Sequence, residues 1–220
     1  MELEAYKPYK IIMRSNGSRY RVRFNRDRYF YPHEWVKFFG FLKYKQRFTF
    51  DLLLATGARI NEIRHVQVQD IDFERNSILL KVTKTKSAKK EKHPRPRTVS
   101  ISSQMAKKIR RWIHENHLKT GDFLGILSTP GANKGMKVAL RKAEIRDWKM
   151  FSVHNVRKTH GNWLKALGVE AQEICLRLGH DFNTFLRSYG SPDVFNMEDL
   201  QNIRFLLGDL YLNWRARQRM

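Results

Sequence analysis

The chain has 220 residues, which is enough for one or two domains with a sizeable core. It carries 43 Lys and Arg residues against 21 Asp and Glu residues, a formal net charge of +22, and such an excess repels itself unless a polyanion offsets it, so nucleic acid is the leading partner. A hydrophobic fraction of 41% with 14 Phe residues indicates a packed core and argues against a disordered chain.

The first 30 residues form a basic segment rich in Arg and Tyr. A turn at Asn16-Gly17 followed by the run 19–24 predicts a short strand, so this segment is expected to be a strand pair or an arm. From Pro32 onward, apolar residues recur at helical spacing, and Pro32 suits the first position of a helix. Two helices are therefore predicted within 33–56.

Two apolar runs, 78–82 and 98–101, predict strands on either side of a basic stretch from Lys84 to Arg97 that prolines interrupt. This pattern predicts a long antiparallel hairpin. Helical spacing and capping residues then predict helices at 104–117, 132–143, 153–167 and 170–178, and a last helix after Asn196.

The last predicted helix has an apolar stripe made of Leu200, Ile203, Leu207, Leu210 and Trp214. This stripe either packs on the chain's own core or docks on a neighbouring protomer, and the sequence leaves both open. No Gly/Ser linker divides the chain. We expect a mainly α domain with a small antiparallel β-sheet, an α+β fold, over 31–195, with the basic segment 1–30 before it and the helix of 196–220 after it.

An arginine and a glutamate three residues apart, Arg59 and Glu62, follow Gly57, where one predicted helix ends and the next begins. Taken alone, such a pair is usually a surface ion pair worth about 0.2–0.5 kcal/mol. The functional interpretation gives Arg59 a bidentate grip on a phosphate group, with Glu62 fixing the guanidinium group from behind.

A second cluster lies further along the chain. His154 and Arg157 stand at i and i+3 near a helix N-terminus, so both can address one anionic group. His180 follows Leu178-Gly179, and Tyr189 comes nine residues after that histidine. Taken singly, His180 would be a helix-terminal histidine bonded to a backbone carbonyl group, and Tyr189 an ordinary amphipathic aromatic residue.

The order of these pieces is more specific than any one of them. An Arg with Glu three residues later, a basic hairpin, His-x-x-Arg, Leu-Gly-His and then Tyr together resemble the tyrosine recombinase, or phage integrase, family over 32–191. The resemblance implies a DNA breaking and rejoining enzyme with a tyrosine recombinase-like catalytic domain. It further implies roles for five residues: Arg59 and Arg157 as the two catalytic arginines, His154 and His180 at the two histidine positions, and Tyr189 as the nucleophile.

The family also places a catalytic lysine in the hairpin, where this chain offers several. Lys86, before Ser87 and Ala88, fits the family pattern best, and Lys84 is the alternative. Residues two apart on a regular strand point to the same face, so both candidates stay open. The hairpin is longer than is common in the family and lacks glycine at position 88.

The mechanism that the resemblance implies needs neither a metal nor ATP. A tyrosine hydroxyl with a pKa near 10 is a poor nucleophile and needs a base, for which His154 is the candidate, while Lys86 would protonate the leaving 5′ oxygen. Two guanidinium groups with a histidine N–H, that of His180, can stabilise an in-line phosphoryl transfer. The product would be a covalent 3′-phosphotyrosine. No metal-ligand array or Gly-rich nucleotide loop is found, so no cofactor is expected.

Double-stranded DNA is the expected partner, and the family's usual assembly implies four protomers on two duplexes. No stretch approaches the roughly 18 apolar residues of a membrane helix, and the N-terminus lacks the apolar region of a signal peptide, so we expect a cytosolic protein on the nucleoid. Cys175 is the only cysteine, which excludes an intramolecular disulfide and a Cys-based zinc cluster.

Two alternatives to a site-specific recombinase remain open at this stage. One is a type IB topoisomerase-like enzyme with the same tyrosine chemistry, and the other is a catalytically inactive basic DNA-binding protein. Many family members carry a DNA-clamping domain before the catalytic domain, whereas only the segment 1–30 precedes it here. The sequence therefore fits either a minimal enzyme or a catalytic fragment.

Overall fold

The computed structural model describes residues 9–13, 19–23, 28–81, 96–189 and 195–210. Within these ranges the chain forms nine α-helices, which are α1 (Pro32–Gly40), α2 (Tyr44–Thr56), α3 (Ile60–Arg64), α4 (Ser103–Glu115), α5 (Thr129–Lys142), α6 (Val153–Ala166), α7 (Ala171–Leu178), α8 (Phe182–Tyr189) and α9 (Met197–Leu207). None of the helices in this part of the chain is long and apolar enough to cross a membrane.

The strands form two small antiparallel sheets. The first pairs β1 (Tyr9–Met13) with β2 (Arg19–Arg23), and the second has the order β3 (Ile71–Asp72), β4 (Ser77–Leu80) and β5 (Arg97–Ser100). In the second sheet Ile78 lies opposite Val99, and both side chains are buried. The mainly α fold with a small antiparallel sheet, predicted from the sequence, is confirmed.

The structure differs from the predicted elements in three places. Helix α5 begins at Thr129 rather than at 132, because the Ser128 hydroxyl caps it by accepting from the Gly131 amide at 3.3 Å. Strand β3, whose two residues are too few to show a period, and helix α8 were not predicted. The other predicted bounds agree to within about two residues.

Helix α6 forms the centre of the helical part and packs against α2, α5, α7 and α8. Polar side chains on it are buried, and each needs a hydrogen-bond partner. Asn155 donates to the Arg28 carbonyl oxygen at 2.6 Å, and the Thr159 hydroxyl accepts from the Phe30 amide at 2.9 Å. These bonds tie the segment before α1 to the helix that carries His154 and Arg157.

An aromatic cluster surrounds Phe30 on the other side of that segment. The ring centroid of Phe30 lies 5.2, 5.1 and 4.5 Å from the ring centroids of Trp35, Phe38 and Phe151, respectively. The Trp163 indole on α6 donates to the Phe30 carbonyl oxygen at 3.0 Å. Phe30 thus joins α1, α6 and the loop before α6 in one core.

Helix α9 packs within the chain against α1, burying Ile203 and Leu207. Asn196 caps it by accepting from the Asp199 amide at 2.8 Å, and Asp209 beyond it accepts from the Ser103 amide at 2.8 Å. The division of the chain at 195 stays a prediction, and Trp214 lies outside the described residues.

We predict that Phe30→Ala lowers the free energy of unfolding by about 3–5 kcal/mol, because it opens a cavity in the aromatic cluster. Phe205→Ala is the matched control, since that ring is 82% exposed, and it should leave stability almost unchanged. Urea denaturation followed by tryptophan fluorescence measures both. Equal losses for the two variants would show that Phe30 does not organise the core.

Candidate active site

The first predicted arginine stands at the junction of two helices. Helix α2 ends at Gly57, whose φ of +63° suits glycine, and α3 begins after Arg59. A Cβ at Gly57 would lie 2.4 Å from the Cδ2 atom of His160, so the close packing also requires glycine here. The junction therefore places Arg59 at a fixed point of the backbone.

Glu62 is buried behind Arg59. Its carboxylate accepts from the Arg59 backbone amide at 2.8 Å and from the Arg59 Nη1 atom at 3.0 Å. Arg97 at the start of β5 donates to the same carboxylate through Nη1 at 3.0 Å and Nη2 at 2.8 Å. Burial opposes ionisation of Glu62, but the bonds and charge of Arg97 and the Arg59 amide hold its pKa at about 2.

Arg157 lies in the interior, with 1% of its surface exposed. Its Nη1 atom donates to the Gly57 carbonyl oxygen at 2.8 Å, and its Nη2 atom donates to the Leu178 carbonyl oxygen. The Nη2 atom also lies 2.9 Å from Nε2 of His180. Because a guanidinium group can only donate, Nε2 of His180 accepts, which puts the ring proton of His180 on Nδ1.

The two histidines near these arginines are neutral at pH 7. Burial, followed by the positive charges of Arg157 and Arg59, lowers the pKa of His180 to about 3. His154 is exposed on the wall of the site, but the protein around its ring and then the charges of Arg157 and Arg59 lower its pKa to about 4. A neutral imidazole can accept a proton from a nearby hydroxyl group.

Arg59, His154 and Arg157 line one cavity of about 1050 Å³. The rest of its wall comes from α3 and the loop after it, from the starts of α5 and α6, and from residues after β4 and α4. The side chains there include Asn61, Arg64, His65, Gln67, Lys81, Phe123, Thr129, Asn133 and Ser152. Two guanidinium groups and a neutral imidazole facing one open space can bind an anion and accept a proton beside it.

Of the hairpin lysines, Lys84 and Lys86 lie outside the described residues, so the choice between them stays a prediction. Lys81, just after β4, lines the cavity, and its Nζ atom lies 2.7 Å from Oδ1 of the buried Asp70. It anchors the base of the hairpin beside Arg59 and His154. The position of Lys81 at the cavity was not expected from the sequence.

Tyr189 is the last residue of α8. This helix packs against α6 and α7. Helix α6 carries both His154 and Arg157, and α7 ends two residues before His180. The described backbone therefore puts the predicted nucleophile on a helix that contacts α6, the helix of His154 and Arg157, and its catalytic role stays a prediction.

Arg97 is a residue next to the site that sequence reasoning missed. It is 35 residues from Glu62, and only the pairing of β4 with β5 brings the two together. Nothing in its spacing marks it among the basic residues of the hairpin. Within the described residues, no group of three or more His, Cys, Asp or Glu side chains is arranged to hold a metal ion.

The chain matches a known family model. Residues 28–193 match the model of the phage integrase family. No curated protein sequence gives a significant match.

Solved structures share the fold at low sequence identity. XerA recombinase has a TM-score of 0.61 at 17% identity over 81% of this chain and 64% of that chain. The Tn1549 transposon integrase in complex with transposon right end DNA has a TM-score of 0.59 at 18% identity, over 82% of this chain and 66% of that chain. XerH site-specific recombinase bound to its difH substrate has a TM-score of 0.58 at 19% identity, over 86% of this chain and 58% of that chain. The chain thus spans about two thirds or less of the length of these proteins.

We predict that Arg97→Ala lowers the free energy of unfolding by about 3–5 kcal/mol, because it leaves Glu62 buried without its bidentate partner. Arg75→Ala is the control, since the Arg75 side chain in its ion pair with Asp72 is 77% exposed, and it should change stability little. Chemical denaturation at pH 7 measures both. The loss at Arg97 should shrink as the pH falls from 4.5 towards 2, where Glu62 becomes neutral in the folded protein too.

We also predict that His154 and His180 stay neutral at pH 5.5, because their folded pKa values of about 4 and 3 lie below the ordinary 6.5. The unfolded chain takes up these protons first, so stability is full above pH 6.5 and declines as the pH falls towards 4. Heteronuclear NMR of the imidazole nitrogens measures the titrations, with His154→Gln and His180→Gln for assignment and the urea-unfolded chain as reference. A midpoint near 6.5 for either folded histidine would contradict the electrostatic description of the site.

Proposed function

Because the chain belongs to the phage integrase family, we propose that it is a site-specific DNA recombinase that cuts and rejoins DNA through a 3′-phosphotyrosine intermediate. The observation that carries the proposal is the convergence of Arg59, His154 and Arg157 on one cavity, with His180 bonded to Arg157. The predicted order of residues along the chain supports the same set.

Arg59 and Arg157 bind the two nonbridging oxygens of the scissile phosphate and neutralise the charge that develops on them. Arg157 is held by two backbone carbonyl groups, so its donors are oriented before the substrate arrives. His180 accepts from Arg157, and its proposed role is to orient the bound phosphate.

His154 accepts the proton of the Tyr189 hydroxyl as its oxygen attacks phosphorus and the bond to the 5′ oxygen breaks. A base with a pKa of about 4 is weak, but part of that shift comes from the charges of Arg157 and Arg59. A phosphate bound between the two arginines offsets this positive field and raises the pKa of His154 when the base is needed. Substrate binding thus activates the base.

A hairpin lysine, Lys86 with Lys84 as the alternative, supplies the proton to the leaving 5′ oxygen. The new phosphotyrosine bond replaces the broken phosphodiester bond, so attack by another 5′ hydroxyl group reverses the step and religates the strand without ATP. The two arginines provide the charge stabilisation that a metal ion gives other phosphoryl transfer enzymes, so we propose a reaction that needs no metal.

Double-stranded DNA is the proposed substrate, and two observations support it. The net charge of +22 favours a polyanion, and solved structures with the same fold hold transposon right end DNA and a difH substrate. We further propose that recombination takes place in a tetramer on paired sites.

We predict that the protein forms a covalent band with nicked duplex DNA on a denaturing gel, and that Tyr189→Phe abolishes the band while it keeps DNA binding in a mobility-shift assay. A pool of nicked duplexes of random sequence serves as substrate, because the nick lets the short 5′-hydroxyl fragment leave and traps the adduct. EDTA should not change the yield.

An undiminished band from Tyr189→Phe would rule out this nucleophile. A divalent-metal requirement would favour a nuclease. Sequences recovered from the covalent band can be placed as two sites on one plasmid. Relaxation of any supercoiled plasmid, without recombinants between two such sites, would instead indicate a topoisomerase.

A further inference from the structure

His160 and Arg177 form a buried ionisable pair that the proposed mechanism does not use. His160 is fully buried on α6, and Arg177 is 8% exposed on α7. The Arg177 Nε atom donates to Nε2 of His160 at 2.8 Å. Burying these groups costs free energy unless their polar atoms find hydrogen-bond partners. The partners they have therefore indicate which parts of the fold the pair holds in place.

The pair binds the end of α2. His160 Nδ1 lies 2.6 Å from the Leu54 carbonyl oxygen, and Arg177 Nη2 lies 2.8 Å from the Ala55 carbonyl oxygen. Both carbonyl groups belong to the last turn of α2, which cannot satisfy them from within the helix. Because Arg177 only donates, Nε2 of His160 accepts and Nδ1 carries the proton towards Leu54, which specifies one neutral tautomer.

The same pair fixes the turn that leads to Arg59. The His160 ring packs directly on Gly57, where an added Cβ would lie 2.4 Å from Cδ2. The Gly57 carbonyl oxygen accepts from Arg157 at 2.8 Å. A shift of the His160 ring would therefore move a carbonyl group that orients Arg157 and the backbone that carries Arg59.

Arg177 also reaches Arg59 through its own backbone. Its carbonyl oxygen accepts from Arg97 Nε at 2.8 Å, and Arg97 holds the carboxylate that binds Arg59. The Ser100 carbonyl oxygen accepts from Arg177 Nη2 at 2.6 Å and joins β5 to α7. The pair thus connects α2, α6, α7 and β5 at the point where Arg59 and Arg157 approach each other.

We propose that His160 and Arg177 are positioning residues for the cleavage reaction, which set the separation and orientation of Arg59 and Arg157 by fixing the carbonyl end of α2. This inference rests on the proposed function. The pair touches neither the cavity nor the proposed substrate, so it acts through the two arginines.

The test measures single-turnover cleavage of nicked duplex at saturating protein, together with the Kd for the same duplex. His160→Phe keeps an aromatic ring against Gly57 but removes both nitrogen atoms. We expect cleavage to slow by about 100-fold with an unchanged Kd, because small displacements of positioned groups cause losses of this size. Thr159→Val is the matched control, since it too removes a buried hydrogen-bonding group of α6, the acceptor of the Phe30 amide, and it should keep the wild-type rate.

A second background separates positioning from general loss of structure. In Arg157→Lys the oriented guanidinium group is already lost, so adding His160→Phe should slow cleavage much less than it does in the wild type. If His160→Phe slows cleavage by the same factor in both backgrounds, or by no more than Thr159→Val does, the inference is overturned.

Should His160→Phe fail to fold, Arg177→Lys is the second variant, because it keeps a charged donor for the carbonyl groups of α2 but loses the Nε bond to His160, and it is expected to fold. Cleavage should be slow in it, and a wild-type rate in the folded variant would overturn the inference. Failure of the wild-type protein to form any adduct overturns the proposed function and this inference with it. An adduct with the wild type but no specific effect of His160 overturns the inference alone.

Discussion

The site depends on one constraint, the meeting of two helix carbonyl ends in the interior. Helices α2 and α7 both end at glycines in the left-handed region, Gly57 and Gly179, and their last carbonyl groups point into the same space. A helix end has no partners of its own for these oxygens, and they carry partial negative charge. The guanidinium groups of Arg157 and Arg177 satisfy them, and for this reason two arginines can lie in the core.

This arrangement concentrates positive charge with little carboxylate to offset it. Glu62 is the buried carboxylate between Arg59 and Arg97, and its low pKa keeps it ionised. Burial, and after it the remaining positive field, lowers the pKa values of His154 and His180 to about 4 and 3. The field that suits the cavity to an anion therefore adds to burial in keeping both histidines neutral, so that one can accept a proton and the other can accept from Arg157.

The elements of the fold were predictable where local chemistry marks their ends. Ser152, Asn196 and the glycines after α2 and α7 locate helix termini, because caps and left-handed residues are local requirements. The Arg59–Glu62 pair was visible for the same reason, as its members are three residues apart. Glu62 is 35 residues from Arg97, and Ala55 is 122 residues from Arg177, so only the folded chain brings these partners together.

The side chains of the two arginines at the cavity, Arg59 and Arg157, differ in conformational freedom. Arg157 is enclosed and held by carbonyl groups of two helices, whereas the Arg59 side chain is 42% exposed and bound to Glu62 through Nη1. An enclosed donor loses little entropy when it binds an anion, while an exposed one loses more but can follow the shape of its ligand. Under the proposed mechanism, Arg157 defines where the phosphate lies and Arg59 adjusts to the DNA around it. Because Glu62 holds the Arg59 backbone amide as well as its side chain, that adjustment is confined to the guanidinium group.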